Sequence, residues 1–202
     1  MDKQLTKLQK DTLKEVSSIA ANAASTALSK LTDRRIKVKL SKLTLMHPDD
    51  MPVEYKKEED VGILFGIKGA ISGSIVSLSS KESVYLLVDM IKGELLGTTT
   101  KLTEQDKDLI KEVGNILVGS YLTALSTMTR LKLPESTPIL MESTAQEILK
   151  EASSKIKGRT KQILVIENDL IVDERKFKQE LILILLPKTL ELLFSRLFKW
   201  ME

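Results

Sequence analysis

The chain has 202 residues, 42% apolar and 29% charged, the ordinary balance of a soluble globular protein. Its 31 basic and 28 acidic side chains leave a net charge of +3 with no dense basic run, and aromatics make up only 4%. This argues against a nucleic-acid surface built on concentrated charge and stacking. The absence of cysteine excludes disulfides, zinc ribbons and thiol catalysis and fits a cytoplasmic protein.

The start, Met1-Asp2-Lys3-Gln4, is polar and leads into a charged helix, not into the apolar run of a signal peptide. Thr6 is a suitable N-cap, and Gln9 three residues later completes a capping-box pattern. Leu13, Val16, Ile19 and Ala20 recur at helical spacing, and Asp33-Arg34-Arg35 ends this long helix. Ile36 to Leu40 alternates apolar and polar residues as a strand does. Residues His47 to Asp60 carry prolines and many charges and read as a surface loop. Val61–Lys68 and Ala70–Ser79 are predicted strands with a turn at Gly69, and Glu82–Lys92 is a predicted amphipathic helix.

A second long helix begins at Thr103 and ends near Arg130, and it repeats the first. At an offset of 97 residues, Leu5–Thr32 superimposes on Leu102–Thr129 with 13 of 28 positions identical. Among them are Asp11 on Asp108, Glu15 on Glu112, and Thr26-Ala27-Leu28-Ser29 on Thr123-Ala124-Leu125-Ser126. Ile139-Leu140-Met141 then reads as a short strand, Ala145–Ile156 as a helix and Ile163–Glu167 as a strand. Asn168-Asp169 reads as a turn, and Phe177–Leu186 as a long strand. Pro187 sits at a helix start, and Thr189–Trp200 is an apolar helix. The longest apolar run, Leu181 to Pro187, is far too short to span a bilayer. The fold class expected is α/β (α+β): one domain over 1–202, made of two repeats at about 5–97 and 102–200. Two long helices related by a pseudo-two-fold axis would pack on a shared mixed or antiparallel sheet.

Much common chemistry is absent. A single histidine, His47, cannot build a transition-metal centre, and no metal site is expected. There is no phosphate-binding glycine loop and no nucleophile elbow. What remains is Asp108-x3-Glu112-x2-Asn115, whose spacing puts three polar groups on one helix face beside the apolar stripe. Pro138 follows after twenty-two intervening residues. Alone, such a face is usually only solvated; its place inside a duplicated helix makes it a candidate site.

Asp/Ser-x3-Glu-x2-Asn-x22-Pro resembles the signature of the CheC, CheX and FliY phosphatases, and both long helices resemble those of CheC over nearly the whole chain. The resemblance implies hydrolysis of the acyl phosphate on a CheY-like receiver in chemotaxis. It implies no cofactor of the chain's own, because the receiver supplies Mg²⁺ and a lysine. Asn115 would hold the attacking water and Glu112 would pair with the receiver lysine, while Asp108 and Pro138 would support them. The first copy keeps Asp11 and Glu15 but has Ser18 for the asparagine and Ser41 for the proline, so it reads as a degenerate site. The alternative is a non-catalytic adaptor that binds a receiver or the deamidase CheD, with Ala145–Ile156 as the docking helix, and couples chemotaxis to the motility motor. A monomer is expected, with no nucleic-acid or membrane partner.

Overall fold

The computed structural model describes residues 5–47, 50, 59–154 and 162–201. In chain order the elements are α1 (Lys7–Thr32), β1 (Ile36–Met46), β2 (Glu59–Ile67), β3 (Gly73–Ser80), α2 (Lys81–Lys92), α3 (Glu104–Thr129), β4 (Ile139–Thr144), α4 (Ala145–Ser154), β5 (Ile163–Val172), β6 (Arg175–Leu185) and α5 (Pro187–Met201). The predicted loop from His47 falls mostly outside the described residues, as does the end of the predicted helix at 155–156.

The repeat is visible in local hydrogen bonding. Thr6 and Thr103 each cap a 26-residue helix by a reciprocal capping box, with Gln9 in one and Asp106 in the other returning a bond to the cap backbone. Both helices end on a left-handed residue, Asp33 at φ 51° and Arg130 at φ 56°. Just before each end a threonine hydroxyl, Thr32 or Thr129, donates to the carbonyl four residues back and accepts from the backbone N–H two residues on.

Six strands form one antiparallel sheet in the order β1-β5-β6-β3-β2-β4. This order is a palindrome under exchange of the halves. Each half builds a hairpin, β2–β3 or β5–β6, and its first strand pairs with the hairpin of the other half. Neither half completes its own side of the sheet. The architecture is α+β, with no parallel pairing among the described strands.

Leu13, Val16, Ala20 and Leu28 of α1 and Ile110, Val113, Leu117 and Tyr121 of α3 share one buried cluster. With them are Ile63, Phe65, Ile166 and Leu183 of the sheet, together with residues of α2 and α5. On the opposite face α4 covers Leu64, Val76, Val165 and Ile182 with Ile148, Leu149 and Ala152. Burial of this kind, at about 25 cal/mol per Å² of apolar surface, is the main force holding the layers together. Gly62 lets α4 lie close: a Cβ there would stand 2.5 Å from Ile148 Cγ2. Gly69 takes φ 109° at the predicted turn between β2 and β3.

One predicted turn is wrong. Asn168 and Asp169 lie inside β5, opposite Gln179 and Lys178 of β6, and the turn falls at Asp173-Glu174, both at positive φ. Asn168 is buried because its carboxamide is taken up by a polar network. Its oxygen accepts from Tyr121 Oη at 2.8 Å, and its nitrogen donates to Gln179 Oε1 at 3.2 Å. A residue whose sequence preference is for turns is held in a strand by partners distant in the chain.

Candidate functional site

The three polar groups of α3 lie along its outer face. Asp108 and Glu112 are exposed and Asn115 is half-buried, while Ile110, Val113 and Leu117 point into the core. Their partners differ. Lys111 donates to Asp108 at 3.1 Å within the helix. Glu112 makes no ion pair and Asn115 no side-chain hydrogen bond among the described residues. Both ends of the Asn115 carboxamide are therefore available to another molecule.

The helix that presents them is held firmly. At its start Asp106 is buried, accepts from the backbone and hydroxyl of Thr103, and pairs with Lys92 at 3.4 Å. Burial by itself would raise its pKa, but these donors together hold its carboxyl below the usual value. One residue before Asn115, Gly114 packs onto β2, where a Cβ would come within 2.3 Å of Ile63 Cδ1. Six residues after it, Tyr121 reaches Asn168, and burial pushes the phenol up to about 12 despite that hydrogen bond.

Beside Asn115 a groove of about 430 Å³ runs between α3 and α1. Ile19, Ala23 and Ala27 line it from α1, and Gly119 and Thr123 from α3. Glu135 stands at its rim, held there by the chain before β4: Ser136 N–H donates to Gly66 O at 2.9 Å, and Gly66 N–H to Ser136 Oγ at 2.9 Å. Gly119 was not singled out from the sequence, yet it is unlike Gly114. A Cβ at 119 would meet nothing nearer than Glu135 Oε1 at 3.9 Å, so packing does not require glycine there. The sequence signal was a glycine four residues after Asn115, on the same face, inside a long helix. Pro138 is half-buried at the entry to β4 and does not line this groove.

In the first copy, Asp11 and Glu15 are exposed on α1 and Asp11 pairs with Lys14 at 3.6 Å. Ser18 is exposed and lines a different groove, between α1 and β1, together with Ser41. The two residues that depart from the signature are thus brought to one place. Among the described residues no group of three or more His, Asp or Glu side chains could hold a metal ion, and no helix is long and apolar enough to cross a membrane.

A model of the CheC-like family matches residues 106–142, the stretch that carries Asp108, Glu112, Asn115 and Pro138. Over that stretch the chain is similar to the CheC-like family. Among its curated relatives, the CheY-P phosphatase CheC of Bacillus subtilis is 25% identical over 182 residues, covering 86% of this chain and 84% of that protein. The flagellar motor switch phosphatase FliY of the same organism is 25% identical over 135 residues, which is 66% of this chain and 35% of that one. Among solved structures, FliY of Thermotoga maritima superimposes with a TM-score of 0.79, covering 97% of this chain and 98% of the other at 20% identity. That likeness shows a shared fold.

Proposed function

We propose that the chain is a chemotaxis phosphatase that hydrolyses the aspartyl phosphate of a CheY-like receiver, with α3 as its active helix. The observation that carries this reading is the pair Glu112 and Asn115, one helical turn apart and both without side-chain partners among the described residues. The names of its CheC and FliY relatives supply the substrate class.

In the reaction, water attacks phosphorus, the bond from phosphorus to the aspartyl oxygen breaks, and carboxylate and inorganic phosphate leave. An acyl phosphate is already activated, so the demand is for an oriented water more than for a base. The Asn115 carboxamide accepts from that water and donates beside it from one planar group. A Mg²⁺ held by the receiver would supply charge neutralisation at the phosphoryl oxygens, leaving this chain's residues to orient the water and dock the receiver. Glu112 pairs with the receiver lysine and fixes the register of docking. Asp108, already engaged by Lys111, supports the face with a smaller effect, and Pro138 sets the backbone entering β4. Gly119 keeps the surface one turn beyond Asn115 low, so that the receiver can approach closely. In the first copy the shorter Ser18 cannot do what Asn115 does, and Asp11 and Glu15 remain on a helix retained for packing.

Release of phosphate from a phosphorylated receiver, with wild type and Asn115→Ala compared, tests the proposal. Equal rates in the two would overturn it. The adaptor reading places CheD on α4. The apolar face of α4 is buried against the sheet, so such a partner would meet Gln146, Glu147, Lys150 and Glu151. Co-purification with a CheD from the same genome tests that role.

A further inference from the structure

The groove at the degenerate copy has its own chemistry. It is about 680 Å³ in volume, lies between the first half of α1 and the outer edge of β1, and takes in both Ser18 and Ser41. Among the described residues four lysines line it, Lys10 and Lys14 from α1 and Lys39 and Lys42 from β1, and no acidic side chain does. Lys14 and Lys42 make long, exposed ion pairs with Asp11 at 3.6 Å and Glu167 at 3.5 Å, whereas Lys10 and Lys39 make none among the described residues. Val38, Leu40, Leu43 and Ala21 give the groove an apolar floor.

Half of this basic ring, Lys39 and Lys42, is peculiar to the first copy. At the offset of 97, Lys39 and Lys42 correspond to Ser136 and Ile139. Lys10 and Lys14 correspond to Lys107 and Lys111, which are neutralised by Glu104 at 2.9 Å and Asp108 at 3.1 Å. Lysines on an edge strand also discourage unwanted pairing between sheets. That role does not account for Lys10 and Lys14, which face the groove from a helix.

β1 is an edge strand of the sheet. At its start α1 caps the outer edge: Ser29 Oγ accepts from Ile36 N–H at 3.0 Å and Ser25 Oγ from Val38 N–H at 2.8 Å. One turn earlier on the helix stands Ala21, which has no hydroxyl to offer Leu40. The serine capping stops where the groove opens.

We propose that this groove binds an acidic, extended segment of a partner protein, laid along β1 from Leu40 to Leu43. Its carboxylates would meet the four lysines, its backbone would pair with the strand edge on either side of the irregularity between Leu40 and Lys42, and apolar side chains would sit on Leu40 and Leu43. The inference is independent of the phosphatase reading, since it uses neither Glu112 nor Asn115.

The test uses the full chain and a fluorescein-labelled peptide of alternating glutamate and valine, followed by fluorescence anisotropy. Binding should weaken as NaCl rises from about 50 mM to about 300 mM. It should fall roughly tenfold or more in Lys39→Glu/Lys42→Glu and again in Lys10→Glu/Lys14→Glu. The same peptide N-methylated at alternate residues should bind much more weakly, because it cannot pair with the strand. Absence of binding at low salt, or indifference to both charge reversals, would overturn the proposal. Equal binding of the methylated peptide would remove the edge pairing, and complete displacement by millimolar inorganic phosphate would make this a small-anion site instead. Circular dichroism of each variant shows that the fold is retained.

Discussion

Tyr121 Oη donates to Asn168 Oδ1 at 2.8 Å, joining the middle of α3 to the middle of β5 in a fully buried contact. The same carboxamide continues through Gln179 to Ser77, so one chain of hydrogen bonds links α3 to three strands. Tyr121→Phe should lower stability by about 1–2 kcal/mol, because the Asn168 oxygen loses its donor where water cannot replace it. Urea denaturation measures this loss. The folded variant should keep its phosphatase rate, since Tyr121 faces the core and not the groove.

Asn115→Ala should cut turnover by about 100-fold or more through loss of the positioned water, while receiver binding persists. Ser18→Ala should change neither. Phosphate release and receiver titration, measured on both variants, check the assignment of the active helix. A damaging Ser18→Ala would place the activity on α1.

Glu112→Ala should show the reverse pattern. The side chain is exposed and has no ion pair among the described residues, so thermal stability should move by less than about 0.5 kcal/mol. Receiver affinity should weaken by about 2 kcal/mol or more, because the receiver lysine is left without its counter-charge. Glu112→Lys should be worse still, placing two like charges together. Calorimetric titration against a receiver, beside a melting curve, separates docking from folding.

Gly119→Ala should divide stability from activity. A glycine inside a helix costs roughly 0.5–1 kcal/mol relative to alanine, and the added methyl here meets open space. The variant should therefore melt higher and hydrolyse more slowly. Unchanged turnover would show that the low surface beyond Asn115 is not used.

Asp89 is buried and gathers the loop before α3, accepting from Gly97 N–H at 2.6 Å, Thr99 N–H at 3.0 Å and the hydroxyls of Thr98 and Thr99. Burial alone would raise its pKa, but these donors hold its carboxyl below 3.8, as Thr103 and Lys92 do for Asp106. Both folded values are depressed. Their contribution to stability is therefore complete above the unfolded value and disappears as pH falls through the folded ones. Stability should be flat near neutrality and drop below pH 3.8. Asp89→Asn should flatten that drop while lowering stability at neutral pH, as measured by urea denaturation across the acid range.

Elements with strong local signals, and the chemistry of one helix face, were legible from residue order alone. The capping threonines, the apolar spacing of Leu13, Val16, Ile110 and Val113, and the offset-97 repeat gave both long helices almost to the residue. The Glu112–Asn115 spacing put those two groups on one face, because helical geometry is local and periodic. Features that depend on partners distant in the chain emerged only from the packed fold. Asn168 looked like a turn residue and is a strand residue, because Tyr121 and Gln179 satisfy its amide. The first strand of each half leaves its own hairpin for the other, which no local pattern encodes, since strand pairing is chosen by the faces left to bury. Gly119 could be told from Gly114 only once Ile63 was found against one and open groove beside the other. Ser18 and Ser41, read separately as losses from a signature, proved to share a lysine-lined groove because β1 returns along α1.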